Sequence, residues 1–359
     1  MDFSTSNIPG IGSSISHNGQ KVSSLSYHND GQHLFVATEG DSKITVVDAI
    51  QTGKSKGIFS CQREGVSVVA ATHDEYCILS AGKKQNTIQY WSLYDNKVIR
   101  KFRGHTSPVH ELSVCPNEDM VLSSSNGDVR LWNLQQAGCM AKIDLGSTLS
   151  AQKTVSSPRA VFDSAGLIFS IQAEMPNKEG NYIHMYDARE YDRGAFKEVQ
   201  ITTKVIQDAM KTHQIVNPPP GPLTINKLDF NMEGDRMLCQ TSEGLAIVLD
   251  GFTCEIQRIF QSSSTTTTHD AKGTVSCFTH DGKSLLMGND SGIIDVYDLQ
   301  SGTTVTQLKL QGDSSSFPDA SSFPDKKDDF DIGITALQCN PKYQQIASGC
   351  TNNTCLWMW

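Results

Sequence analysis

No apolar run in this chain approaches the ~18 residues that a membrane-spanning helix needs. The opening residues, MDFSTSNIPGIGSS, also lack the positive region and apolar stretch of a secretory leader. These two absences lead to the expectation of an intracellular protein with no membrane segment. Positive charge is scarce: 30 Lys and Arg face 39 Asp and Glu, for a net charge of -9. That balance argues against a broadly basic nucleic-acid binder, so any cationic patch has to be local. The ten cysteines form no C-x-x-C pair and fall mostly in strand-like runs, which reads as reduced, small core residues rather than a disulfide frame or a zinc site.

Catalytic motifs are missing as well. Gly10 to Gly12 (GIG) lacks the third glycine and the strand-to-helix context of a dinucleotide site, and the Gly82-Lys83 pair has no phosphate-cradling glycine upstream. There is no G-x-S-x-G, no H-E-x-x-H and no His-Cys cluster, and His17, His73, His110, His184, His213 and His280 stand apart in the sequence. The expectation is a binding platform that is not an enzyme, with no cofactor and no metal.

What the chain does have is repetition. From Gly104 to Leu134 (GHTSPVHELSVCPNEDMVLSSSNGDVRLWNL), short alternating apolar runs are separated by the turns at Cys115 to Asp119 and at Asn126-Gly127. The same meander recurs at turn positions Gly31, Glu75, Glu118, Gly166, Gly234, Gly282 and Tyr343, at intervals of about 44, 43, 48, 68, 48 and 61 residues. Units of 40 to 45 residues with four short strands and a Trp-Asp-like ending are the signature of a WD-repeat blade. Seven copies predict an all-β, seven-bladed WD-repeat β-propeller spanning residues 21–359.

The two long intervals contain insertions at residues 203–222 and 311–331. In the first, Val205, Ile206, Ala209 and Met210 recur at helical spacing before Pro218-Pro219-Pro220, which predicts a rim helix packed on its own propeller. The second repeats SSFPD and is acidic, a composition read as disordered. The seventh copy stops after its third strand at Trp359. An open edge would leave backbone groups unpaired, so Ile11 to Ser16, within an N-terminal segment 1–20, is expected to close the last blade.

In such blades a His at the entry to the first strand bonds through a second-strand Ser or Thr to an acidic residue in the tight turn before the Trp. His105, Ser123 and Trp132 fill these places, with Ser124 as the alternative to Ser123. Asn126 takes the turn position, which predicts a network lacking the usual negative charge. For ligands, Arg63, Lys83, Lys84 and Arg103, with Lys43 nearby, should gather on one face as a phosphopeptide-binding patch.

At LYDNKVIRKFRGH (Leu93 to His105), AGLIFS (Ala165 to Ser170) and NPKYQQIASGCTNNTCLW (Asn340 to Trp357), the chain resembles one WD-repeat family. This is the subunit shared by the COMPASS histone methyltransferase complex and by complexes that terminate RNA polymerase II transcription. The resemblance implies a nuclear, non-catalytic adaptor, monomeric within its complex. Its implied partners are a SET-domain methyltransferase, the phosphorylated C-terminal repeats of RNA polymerase II, and phosphatase or cleavage and polyadenylation subunits. A reading from another class is a substrate receptor of a cullin-ring ubiquitin ligase, based on Tyr186-Asp187-Ala188-Arg189, which approximates a W-D-x-R ending.

Overall fold

The computed structural model describes residues 1, 3, 8–39, 42–60, 65–82, 86–143, 156–174, 180–215, 218–219, 223–263, 274–310 and 333–359. They form seven four-stranded antiparallel sheets arranged as a ring. Strand β1 is Gly10–Ser16. Blade 1 comprises β2 (Val22–Tyr27), β3 (His33–Thr38), β4 (Lys43–Asp48) and β5 (Ser55–Ser60). Blade 2 comprises β6 (Val68–Ala71), β7 (Cys77–Ala81), β8 (Thr87–Ser92) and β9 (Lys97–Arg103). Blade 3 follows with β10 (Val109–Val114), β11 (Met120–Ser125), β12 (Asp128–Asn133) and β13 (Cys139–Ile143). Blade 4 has β14 (Ser156–Phe162), β15 (Ile168–Glu174), β16 (Asn181–Asp187) and β17 (Lys197–Ile201), and helix α1 (Thr203–Thr212) comes next. Blade 5 has β18 (Ile225–Phe230), β19 (Arg236–Thr241), β20 (Leu245–Asp250) and β21 (Ile256–Gln261). Blade 6 has β22 (Val275–Phe278), β23 (Ser284–Gly288), β24 (Ile293–Asp298) and β25 (Thr304–Lys309). Blade 7 has β26 (Ala336–Cys339), β27 (Gln345–Gly349) and β28 (Asn353–Met358).

Burial along these strands reflects their place in the sandwich. Second strands such as β3 and β11 are buried at every position, because neighbouring blades cover both faces, whereas outer strands such as β1 and β5 alternate towards solvent. The core is accordingly divided: seven apolar clusters lie one between each pair of adjacent blades. Helix α1 belongs to the cluster between blades 4 and 5, where Ile206 and Met210 are buried while Val205 is exposed. Thr202 caps its first turn by accepting from the Val205 N–H.

The ring closes as expected from its unpaired edge. Strand β1 completes the order β1-β28-β27-β26, pairing antiparallel with β28 from Gly10↔Met358 to Ser16↔Asn353. The seam is extended by His17 N–H donating to Asn352 O (2.7 Å) and by an edge-on contact between Phe3 and Trp359 with ring centroids 5.1 Å apart. The second insertion, 311–331, lies outside the described residues, as do Pro220 to Pro222 of the first.

Innermost strands have one ladder edge that faces the channel and the next blade, and polar side chains cover it. Ser26 Oγ accepts from Ala71 N–H (2.9 Å), Ser113 Oγ from Phe162 N–H (3.1 Å), Glu111 Oε2 from Ala160 N–H (3.0 Å) and Gln338 Oε1 from Tyr27 N–H (2.9 Å). Each of these bonds joins one blade to its neighbour. At the turns the blades approach still more closely: Gly31, at φ +70°, sits where an added Cβ would be 2.5 Å from Asn340 Oδ1. Glycine is required there both by the left-handed backbone and by the space.

Candidate functional site

Blade 3 contains a fully connected polar relay. Trp132 Nε1 donates to Ser123 Oγ (2.7 Å), and Ser123 Oγ lies 2.6 Å from His105 Nε2. On the other side of the ring, His105 Nδ1 is 2.5 Å from Asp128 Oδ1. Asp128 also accepts from Ser125 Oγ (2.5 Å) and from Arg130 Nε (2.7 Å). The acid is therefore Asp128, and the assignment of that place to Asn126 is corrected. Asn126 and Gly127 form the tip of the β11–β12 hairpin, in which Ser125 pairs with Asp128. A tip side chain projects away from the sheet, so Asn126 Oδ1 instead accepts from Ser157 Oγ of blade 4 (2.5 Å). The two-residue Asn-Gly turn was a legible signal for this, since it makes residue 128 the first of the next strand.

The negative charge expected to be missing is consequently present. Burial alone would raise the Asp128 carboxyl, but hydrogen bonds from His105, Ser125 and Arg130 outweigh it and hold the group well below the usual carboxylate range. Ser124 takes no part: it pairs with Val129, and its buried hydroxyl has no hydrogen-bond partner.

Of the five residues assigned to the phosphopeptide patch, Arg63, Lys83 and Lys84 lie outside the described residues. Lys43 begins β4 and Arg103 ends β9; both are exposed at the ring end that carries the inter-blade connections.

The central channel holds a cavity of about 330 Å³ whose lining includes Glu111, Lys227 and Asp229. Burial raises the Glu111 carboxyl to about 7 against the opposing pull of the Arg159 guanidinium. Burial disfavours the Lys227 ammonium, but Asp229, at 3.0 Å, outweighs this and raises its pKa. Lys227 also donates to Ser276 O of blade 6 (3.0 Å). These charges are consumed in mutual pairing and in bonding the next blade.

A cluster that sequence reading passed over lies on the first turn of blade 1. Among the described residues, His28, Asp30 and His33 are the one set of three such donors close enough to share an ion. Asp30 Oδ2 is 3.1 Å from His28 Nδ1 and 2.8 Å from His33 Nδ1. The ring lone pairs are already engaged: Asp30 N–H approaches His28 Nδ1 (3.2 Å) and Lys56 Nζ approaches His33 Nε2 (3.0 Å). Burial opposes ionisation of Asp30, yet the His33 bond and the Gln32 and His33 amides bring its carboxyl down to about 2. The arrangement braces a turn. Its only sequence signal is the H-x-D-x-x-H spacing.

The model of the WD domain, G-beta repeat, matches residues 11–48 and 96–133. The second match spans the whole relay from His105 to Trp132, and the first joins the closing strand to blade 1. The chain is a WD-repeat β-propeller. Relatives of this propeller include WD repeat-containing protein 82 of Drosophila melanogaster, 28% identical over 339 residues, which covers 93% of this chain and 90% of that protein. COMPASS component SWD2 of Saccharomyces cerevisiae is 26% identical over 297 residues, 81% of this propeller and 80% of the relative. Set1 complex component swd2 of Schizosaccharomyces pombe is 25% identical over 285 residues, 78% of this propeller and 71% of the relative.

Proposed function

We propose that this propeller is a non-catalytic adaptor in a nuclear histone lysine methyltransferase complex, where it holds a SET-domain methyltransferase. The observation that carries the reading is the similarity, over most of the chain, to two relatives named as components of COMPASS and of the Set1 complex. The use of the channel groups in bonding blades together suits a scaffold role: Glu111 accepts from Ala160 N–H of the next blade, and Lys227 pairs with Asp229 and donates to Ser276 O. The test is affinity purification of the tagged protein from nuclear extract followed by mass spectrometry. Enrichment of a SET-domain methyltransferase is the expected result. Enrichment of cullin-ring ligase adaptors without the methyltransferase overturns the reading. The ligase alternative rests on Tyr186 to Arg189 alone, and nothing further supports it: Arg189 approaches Glu118 of blade 3 (3.9 Å), while Glu190 pairs with Arg193 (2.7 Å).

The finer part of the proposal is that Lys43, Arg63, Lys83, Lys84 and Arg103 bind serine-phosphorylated C-terminal repeats of RNA polymerase II. On an acidic protein, a local group of Arg and Lys is where phosphate oxygens find charge-assisted hydrogen bonds. Arg63→Glu combined with Lys83→Glu is expected to abolish salt-sensitive binding of a phosphorylated repeat peptide, read by fluorescence anisotropy, with the melting temperature nearly unchanged. Undiminished binding by the folded double variant moves the site elsewhere. A role in transcription termination and mRNA 3′-end processing, through phosphatase or cleavage and polyadenylation subunits, belongs to the same proposal. Recovery of those subunits in the same purification tests it.

A further inference from the structure

The first and third strands of every blade run in the same direction, so the turns that follow them emerge at one end of the ring. Backbone bonds tie the two turns together: Leu93 N–H to Tyr76 O (2.7 Å), Leu134 N–H to Asp119 O (2.8 Å) and Ala188 N–H to Leu167 O (2.9 Å). This turn face is opposite the end where Lys43 and Arg103 lie. It also carries a disproportionate share of the exposed large apolar side chains. On blade 2 they are Tyr76 (48% exposed) and Tyr94 (86%), on blade 4 Leu167 (55%) and Phe196 (51%), and on blade 5 Met232 (53%) and Phe252 (64%). Each pair takes one residue from each turn of its blade.

Two contacts tie these side chains to neighbours. The Tyr76 and Tyr94 rings meet edge-on with centroids 6.3 Å apart. Lys197, the neighbour of Phe196 in sequence, places its ammonium 4.8 Å from the Phe252 ring centre, which links blade 4 to blade 5. Between the two apolar regions stands blade 3, whose turns present Glu118 and Asp119 and no large apolar group. Together the turns of blades 2 and 3 carry Asp74, Glu75, Asp95, Glu118 and Asp119 against Lys97, which is bonded to Asp95 (3.2 Å), and Arg189 of blade 4, which approaches Glu118 (3.9 Å), so the arc keeps an excess of negative charge. Exposed apolar groups of this density mark interaction sites, and aromatic side chains beside carboxylates suit a guanidinium, which gains both an ion pair and a cation–π contact.

We infer that the turn face of blades 2 to 5 docks a basic segment of a partner polypeptide, with apolar anchors on either side of its cationic residues. The acidic arc over blade 3 receives the cations, and the aromatic and aliphatic pairs of blades 2, 4 and 5 receive the anchors. Charge complementarity selects this occupant over an acidic or phosphorylated one, which the same arc repels. The inference does not depend on which complex the protein joins.

The test uses the full chain and three short fluorescein-labelled peptides: arginines flanked by leucine and phenylalanine, the same peptide with glutamate for arginine, and the same with serine for the apolar residues. The first is expected to bind saturably in an anisotropy titration, and the other two at least about tenfold more weakly. Tyr94→Ser combined with Phe252→Ser, and separately Glu118→Lys, should each weaken the first peptide by at least about tenfold at an unchanged melting temperature, since all three positions are exposed. No binding of the first peptide, equal binding of the serine peptide, or binding indifferent to both variants overturns the inference. So does concentration-dependent self-association in analytical ultracentrifugation that the Tyr94/Phe252 variant abolishes, because the face is then an interface between copies of this chain.

Discussion

Replacing Asp128 by alanine isolates the blade 3 relay. The side chain is 5% exposed and accepts from His105, Ser125 and Arg130. Its removal leaves His105 Nδ1 and Ser125 Oγ, 2.8 Å apart, with only each other and strands a partly buried guanidinium, a loss of about 3–5 kcal/mol by analogy with other broken buried pairs. An unfolding entropy of ~2.1 cal/mol/K per residue, taken over the chain, turns that into a fall in melting temperature of about 4–7 °C. Asn126→Ala removes one exposed hydrogen bond, from Ser157, and is expected to cost about 1 kcal/mol or less. Scanning calorimetry on the two variants decides between the positions. The pH dependence gives a second reading. Because the folded carboxyl is held below its unfolded value, its stabilisation is complete above pH ~4 and is lost as the pH falls further, so the two melting temperatures should converge under acid conditions. Equal effects of Asp128→Ala and Asn126→Ala at neutral pH would refute the assignment.

Deleting residues 1–20 removes β1 and Phe3 and leaves β28 unpaired, so the melting temperature should fall by more than in Asp128→Ala; an unchanged melting curve contradicts closure at this seam. Glu111 provides a pH test of opposite sign. Its carboxyl is raised to about 7 in the fold, so the contribution it makes in the protonated form is lost as the pH rises from about 5 to 7. Glu111→Gln, which keeps an acceptor for Ala160 N–H, should flatten the decline in melting temperature over that range. Exchanging residues 314–329 for a short Gly-Ser linker should leave soluble yield and melting temperature unchanged, because an acidic, Ser- and Pro-containing composition cannot build a core; loss of soluble protein contradicts this.

Much of the architecture could be read from the chain because a blade is a local object. Turn residues such as Asn29-Asp30-Gly31 and the short apolar run Met120-Val121-Leu122 act between residues close in sequence, so the repeat, the copy number and the missing outer strand at Trp359 could be counted. The helix of the first insertion followed from the spacing of Ile206 and Met210, although Val205, at the same spacing, faces solvent. The candidate sites were less legible. The basic residues could be assigned to one face by the topology of a meander, but that says nothing of how their side chains are held.

The sequence alone determined that the chain must form a ring of seven meanders whose last member borrows its outer strand from the other end, because unpaired strand edges and a period of 40 to 45 residues leave few alternatives. Tertiary structure decided everything that depends on where a side chain points across a turn or between blades. It gave the acid of the relay to Asp128 and turned Asn126 towards Ser157 in the next blade. It drew His28 and His33 onto Asp30, and it brought Tyr76, from one turn, against Tyr94, from another. Such contacts join residues that the strand period separates, within a blade or across to the next, so only the folded arrangement settles them.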